Sequence, residues 1–214
     1  MIAPARQRFT FLEYLWLDQN SGLRHKYLDG HVWAMAGGSP DHAAIAANLI
    51  ALLGALLREG PCRVFTADLR IRVVATGLGT YPDLSVVCGA LEADPEDPRG
   101  HTVTNPKVLV EVLSPSTEDY DRGEKLAHYK QIPSLEAVLL VAQEERRVEI
   151  WRRIRGGWTL DVAHGRDLVA LPSLQLRLPL AEIYRGVEGP SRERVSPPAP
   201  AATARVRPRK RPRR

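Results

Sequence analysis

The sequence predicts a single domain of the α/β (α+β) class, a central mixed β-sheet flanked by helices, and three observations lead there. The stretch VLVEVL at 108–113 is apolar at both strand parities, as in a strand covered on both faces. The segment SPDHAAIAANLIALLGALL at 39–57 has Pro at a first helical position and a long apolar run, the mark of a buried helix. Helical and strand patterns then alternate along the chain. With 214 residues, 44% hydrophobic and 26% charged, the chain can bury one sizeable core, and wholesale disorder is excluded.

The elements follow in order. Thr10 with Glu13 three residues later is a capping-box pattern and starts a short helix over about 10–18. HKYLDGHVWAMAGG reads as a hairpin that turns at Asp29-Gly30. The long helix runs from Ser39-Pro40 to about Arg58, with Gly60 just past its end. CRVFTADLRIRVVA reads as a strand with an irregularity near Asp68, TGLGT at 76–80 as a loop, and YPDLSVVCG as the next strand. Residues 90–105, acidic and bearing Pro and Gly, read as an exposed loop. A strand at 107–113 follows, then a helix over roughly 117–131 that stops before Pro133. EAVLLVA, RRVEIWRRI and GWTLDVA are further strands, and LPSLQLRLPLAEIY closes the body with a short strand and a helical turn.

The domain spans 1–187 and the Pro/Ala/Arg-rich remainder, 188–214, reads as a disordered basic tail. Residues 189–214 hold nine Arg or Lys and one Glu, so +8 of the formal +5 sits there and the body carries −3. The tail residues Arg207, Arg209, Lys210, Arg211, Arg213 and Arg214 suit nonspecific phosphate attraction or a solvated extension. Cys62 and Cys88 form no CxxC or zinc-type spacing, which points to a reducing, cytoplasmic compartment. The N-terminal segment has no apolar h-region, and the longest apolar stretch, 43–57, is shorter than a membrane span.

Chemistry enters at Glu111, a carboxylate inside an apolar strand. Burying it is costly without a cation or metal beside it. Asp83, at the mouth of the strand LSVVC, can meet Glu111 at one sheet edge, and such oxygen pairs suit Mg²⁺. Lys125, on the following helix, can orient an attacking water or steady charge at a phosphate. Spacing alone leaves a plain ion pair of Glu111 with Arg72 or Lys125 equally open.

Several stretches together resemble the Uma-two family, endonuclease-like proteins of the PD-(D/E)XK superfamily with a restriction-endonuclease-like fold. They are GHVWAMAGGSPDHAAIAANLI, FTADLRIRV, TYPDLSVVCG, NPKVLVEVLSPSTEDYDRGEKLAHYKQIPSL, VLLVAQEERRVEIW and LPSLQLRLPLAEIY, in family order over roughly 8–187. The resemblance implies that Asp83 and Glu111 hold a divalent cation, Mg²⁺ or Mn²⁺. It also implies that Lys125 takes the lysine role from the helix, since Leu113 occupies the usual lysine position. DNA is the implied substrate and a homodimer the implied assembly, because cutting both strands of a duplex needs two sites. The chain departs from the family at two hairpin positions, where Lys26 and His31 replace glutamates. Lys26 reverses a charge near the implied metal, which motivates an alternative reading: a catalytically impaired nucleic-acid-binding or scaffold protein.

Accessory candidates are His42, His31 and Asp68. His42, in the first turn of the long helix, either orients a carboxylate or bonds nearby backbone; Asp68 either lines the site or satisfies a bulge. Arg70 and Arg72 alternate on what reads as a solvated strand face, Asp121 and Glu124 read as the solvent side of their helix, and Lys107 is a reserve for the lysine role. No GxSxG or Ser-His-Asp arrangement supports a serine hydrolase.

Overall fold

A computed structural model describes residues 8–35 and 37–187. Thr10 caps the first helix as its sequence dictates. Its hydroxyl accepts from the Glu13 amide at 3.2 Å and Glu13 accepts from the Thr10 amide at 2.7 Å, and α1 spans Phe11–Asn20. Strands β1 (His25–Leu28) and β2 (His31–Ala34) form the hairpin, and Asp29 and Gly30 both adopt positive φ, the geometry of a two-residue turn. Helix α2 (Pro40–Leu56) starts from a Ser39 cap and buries Ile45, Leu49 and Leu53, one residue per turn of one face.

The 61–74 stretch is not one strand. A turn at Asp68, bonded to Thr66, splits it into β3 (Cys62–Thr66) and β4 (Arg70–Val73), which join different sheets. TGLGT is not a loop either: β5 (Leu78–Thr80) pairs with β4 and β1. Short strands of this kind owe their pairing to neighbours rather than to local pattern. Then come β6 (Leu84–Cys88), β7 (Thr102–Val103) and β8 (Val108–Leu113). The 90–105 segment is less exposed than its composition suggests, because Asp94 and Asp97 turn inward to Arg72 and Arg70.

The next helical stretch is irregular: α3 (Glu118–Tyr120), a π-helical turn at Asp121–Lys125, and α4 (Leu126–Tyr129). Strands β9 (Ala137–Ala142), β10 (Arg147–Ile154), β11 (Gly157–His164), β12 (Leu168–Leu171) and β13 (Leu176–Pro179) follow, with α5 (Leu180–Ile183) last.

Six strands build the main sheet in the order β11-β10-β9-β8-β6-β3, mixed because β8 and β9 run parallel while its other pairings are antiparallel. A five-stranded sheet, β2-β1-β5-β4-β7, carries the hairpin, and β12 and β13 pair separately. The expected α+β architecture with a mixed central sheet is therefore what forms. Strand β8 lies deep within it. Val108, Val110 and Val112 pack with α2, and Leu109 and Leu113 pack with Leu126, Tyr129 and Leu140 on the other face. Full burial of each such side chain contributes about 1.5–3 kcal/mol.

Arg70 and Arg72 do not lie on a solvated face. Arg70 is 3% exposed and contacts Asp18 at 2.6 Å, and Arg72 faces Asp94 at 3.4 Å. Their parity is outward with respect to β4 alone, but α1 and the 90–105 segment cover that face. Cys62 and Cys88, read from sequence as belonging to a reducing compartment, are directly opposite on β3 and β6 and are disulfide-bonded. Among the described residues no helix is long and apolar enough to cross a membrane.

Candidate active site

Sheet register brings the two carboxylates together. Leu84 pairs with Val110, so Asp83, one residue before β6, reaches the end of β8 beside Glu111. The Val112 amide donates to Asp83 Oδ2 at 2.7 Å, fixing the Asp83 carboxylate against that strand. Glu111 shares its face with Leu109 and Leu113 and is 3% exposed. Its partners come from the helical stretch that packs there. Tyr129 donates to Oε1 at 2.6 Å, and Lys125 meets Oε2 at 2.8 Å.

Asp121 is the site residue that sequence reasoning misplaced. It is 5% exposed, and its carboxylate lies 3.0 Å from the Lys125 ammonium. The signal was the spacing of 121, 125 and 129, each four residues apart and each buried. The π-helical turn at Asp121–Lys125 keeps all three on the inner side of the stretch, a feature often found at functional sites. Glu124, as expected, is exposed.

The charges do not balance. Lys125 serves two carboxylates, and Asp83 adds a third nearby. Burial pushes Glu111 up to about 8; Lys125 opposes this, while Asp83 and Asp121 reinforce it. Burial alone would lower Lys125, but Glu111 and Asp121 outweigh it and raise it, so the lysine stays charged. The two shifts pull opposite ways on one ion pair. The geometry decides for a cationic Lys125 shared between two acids, with Glu111 the acid that burial and its acidic neighbours push toward the protonated form.

His42 joins the site from the first turn of α2, with Nε2 3.2 Å from Asp83 Oδ2. That hydrogen bond raises its pKa against the opposing effect of burial, with Asp83, Glu111 and Asp121 adding to the rise. Ser39, bonded to Gln143 at 2.9 Å, pins the start of α2 to the end of β9. Of the two accessory readings of His42, the carboxylate contact is the one the structure shows.

Other candidates lie apart from the carboxylates. His31 bonds the Asp29 carbonyl and stacks on Trp33, and Asp68 sits in its turn, paired with Arg24. Lys107 pairs with Glu136 at 2.7 Å instead of facing Glu111. Lys26 does face the site region: its ammonium lies 3.6 Å from the Tyr120 ring centroid and feels the charges of Lys125, Asp121 and Glu124. Arg207, Arg209, Lys210, Arg211, Arg213 and Arg214 fall outside the described residues. A surface depression of about 310 Å³, lined by Leu113, Pro115, Glu118 and 142–145, adjoins the strand ends but includes none of Asp83, Glu111 or Lys125. Chemistry rather than concavity marks the site.

With this geometry in place, the family comparison is decisive. The profile of the Uma2 family, described as "Putative restriction endonuclease", matches residues 11–181. The chain belongs to the Uma2 family. Two Synechocystis proteins are similar to this Uma2 chain: slr1290, 37% identical over 82% of this chain and 90% of its own length, and sll1609, 29% identical over 72% and 86%. A crystal structure titled as a "putative nuclease belonging to DUF820" from Anabaena variabilis has the same fold. Its TM-score is 0.67 at 20% identity, covering 82% of this chain and 97% of that one. The expected family and nuclease-like fold are thus both found.

Proposed function

We propose that this Uma2 protein is a divalent-metal-dependent endonuclease hydrolysing phosphodiester bonds in DNA, with Asp83 and Glu111 holding Mg²⁺ or Mn²⁺. The observation that carries this reading is the meeting of Asp83 and Glu111 at one strand end with Lys125 on Glu111. The donor set fits the ion. Mg²⁺ is typically held by one or two carboxylates plus waters and substrate phosphates. Each carboxylate oxygen has two lone pairs, so Glu111 can keep Tyr129 and Lys125 and still ligate. Asp83 and Asp121, whose charges disfavour an ionised Glu111 beside them, favour a cation there.

When bound, the ion would lower the pKa of its water and offset charge developing on the phosphate. The chain's own residues do the positioning. Tyr129 and Lys125 fix the two oxygens of Glu111, and the Val112 amide and His42 fix Asp83. Lys125, charged and buried, is placed to steady the negative charge of an attacking water or a phosphate. The reading takes DNA as partner, and cutting both strands of a duplex calls for two copies.

One observation favours a second reading, a catalytically impaired nuclease-fold protein that binds nucleic acid or acts as a scaffold. Lys26 brings a second ammonium to the site region, within electrostatic reach of Lys125. Plasmid nicking in Mg²⁺ and in Mn²⁺ separates the two. Wild type is compared with Glu111→Ala and with a chain ending at Val187. Metal-dependent nicking lost in Glu111→Ala but kept without the tail supports the endonuclease. No nicking by wild type in either metal refutes it.

A further inference from the structure

The β1–β2 hairpin presents two different faces. Tyr27 and Val32 pack with Phe11 and Tyr14 of α1. The opposite face carries Lys26 and, paired across the hairpin, Trp33, with His31 two residues away on the same side. Leu28, also on that face, packs into the cluster that contains Tyr129 and Leu113, so the face looks toward the carboxylate site.

Lys26 is half-buried, and among the described residues its ammonium makes no ion pair and no hydrogen bond. It is held by rings instead, 3.6 Å from the Tyr120 centroid and 5.3 Å from that of Trp33. A partly desolvated ammonium that touches no carboxylate among the described residues is poised to take an anion. Trp33 is 43% exposed and stacks on His31 at 5.6 Å and 26°, which props the indole in place. A cation and a propped aromatic face side by side match the two halves of a nucleotide, phosphate and base.

We infer that Lys26 and Trp33 form a nucleotide subsite beside the carboxylates, taking a backbone phosphate on the ammonium and an unpaired base on the indole. The substrate is then a nucleic-acid strand whose bases are unpaired at this point. A base within a duplex has both faces covered by its neighbours, whereas an unpaired base can stack on a side chain. The inference rests on the proposed reading of the site as one that handles nucleic acid, and it assigns the substrate's state.

The test is metal-free binding by the full chain in EDTA, so it does not depend on cleavage. The probes are a fluorescein-labelled oligothymidylate and a fully paired hairpin duplex, each measured by anisotropy. Wild type is compared with Trp33→Ala, Trp33→Phe and Lys26→Gln, with circular dichroism to verify folding. Trp33→Ala should weaken oligothymidylate binding on the order of tenfold. It should leave duplex binding unchanged, because the basic tail contributes equally in every variant. Trp33→Phe should restore most of the loss, and Lys26→Gln should weaken binding and flatten its salt dependence. Equal oligothymidylate binding by wild type and Trp33→Ala overturns the subsite, as does an equal loss on both probes. Trp33-dependent binding with no cleavage of plasmid or oligothymidylate in Mg²⁺ or Mn²⁺ would sustain the subsite and sink the endonuclease; metal-dependent cleavage with Trp33-independent binding would do the reverse.

Discussion

Replacing Tyr129 by Phe removes one oxygen and leaves the ring's packing in place. That oxygen donates to Glu111 Oε1 at 2.6 Å, in a spot where Tyr129 is 1% and Glu111 3% exposed. A hydrogen bond to an ionised group is worth about 1.5–3 kcal/mol, and each pKa unit is about 1.4 kcal/mol. The neutral acid keeps about 1 kcal/mol of that, so losing the bond should raise Glu111 by roughly one further unit above its value of about 8. The sign of the pH effect follows. Glu111 has a folded pKa above its ordinary value of 4.5, so the folded protein holds an extra proton between there and about 8. Stability from this group is greatest on the acid side and falls as pH rises through that window. In the variant the fall continues to higher pH. Near the acid end both proteins hold Glu111 neutral, and the variant should lose only about 1 kcal/mol. Above about pH 9 the gap should widen to roughly 1.5–3 kcal/mol in all. Urea denaturation of both proteins across this range measures it. A gap that does not change with pH, or no gap at all, would refute the account of Glu111 as a carboxylate strained by burial and held by Tyr129.

Lys125→Met leaves Glu111 and Asp121 without their shared cation; denaturation at alkaline pH should show a loss of about 3–5 kcal/mol, smaller in acid where Glu111 is neutral. Arg70→Met strips the buried Asp18 of its guanidinium and should cost about 3–5 kcal/mol in the same assay. Reducing the Cys62–Cys88 bridge, which closes a separation of 26 residues, should lower the unfolding free energy by about 3 kcal/mol, read from melts with and without dithiothreitol. An unchanged melt would mean the bridge does not form in solution.

Local chemistry explains what could be read before any fold was known. The Thr10–Glu13 cap, the Asp29-Gly30 turn and the Ser39-Pro40 helix start are decided within a few residues, and each forms as its sequence demands. The doubly apolar pattern of 108–113 marks a covered strand, and the isolated acid within it marks Glu111 as a group in need of a partner. Asp83 and Lys125 were legible as partners because a strand mouth and the next helix are close in any such unit. Asp121 was not, because one acid four residues before a lysine looks the same on a solvated helix as on a buried one. Arg70 and Arg72 failed for the same reason: an arginine on alternate strand positions is solvated unless something distant covers it, and Asp18, Asp94 and Asp97 do.

The sequence by itself determined the capped helix starts, the hairpin turn, the covered strand at 108–113, the family and the need for charge compensation at Glu111, all set by local spacing and side-chain chemistry. Tertiary structure decided which strands share a sheet, that Cys62 faces Cys88, that one lysine serves two acids, and that Lys26 stands over Tyr120. These are contacts between residues far apart in the chain. Their free energy depends on burial and on the sum of neighbouring charges, which exist only once the sheets have packed.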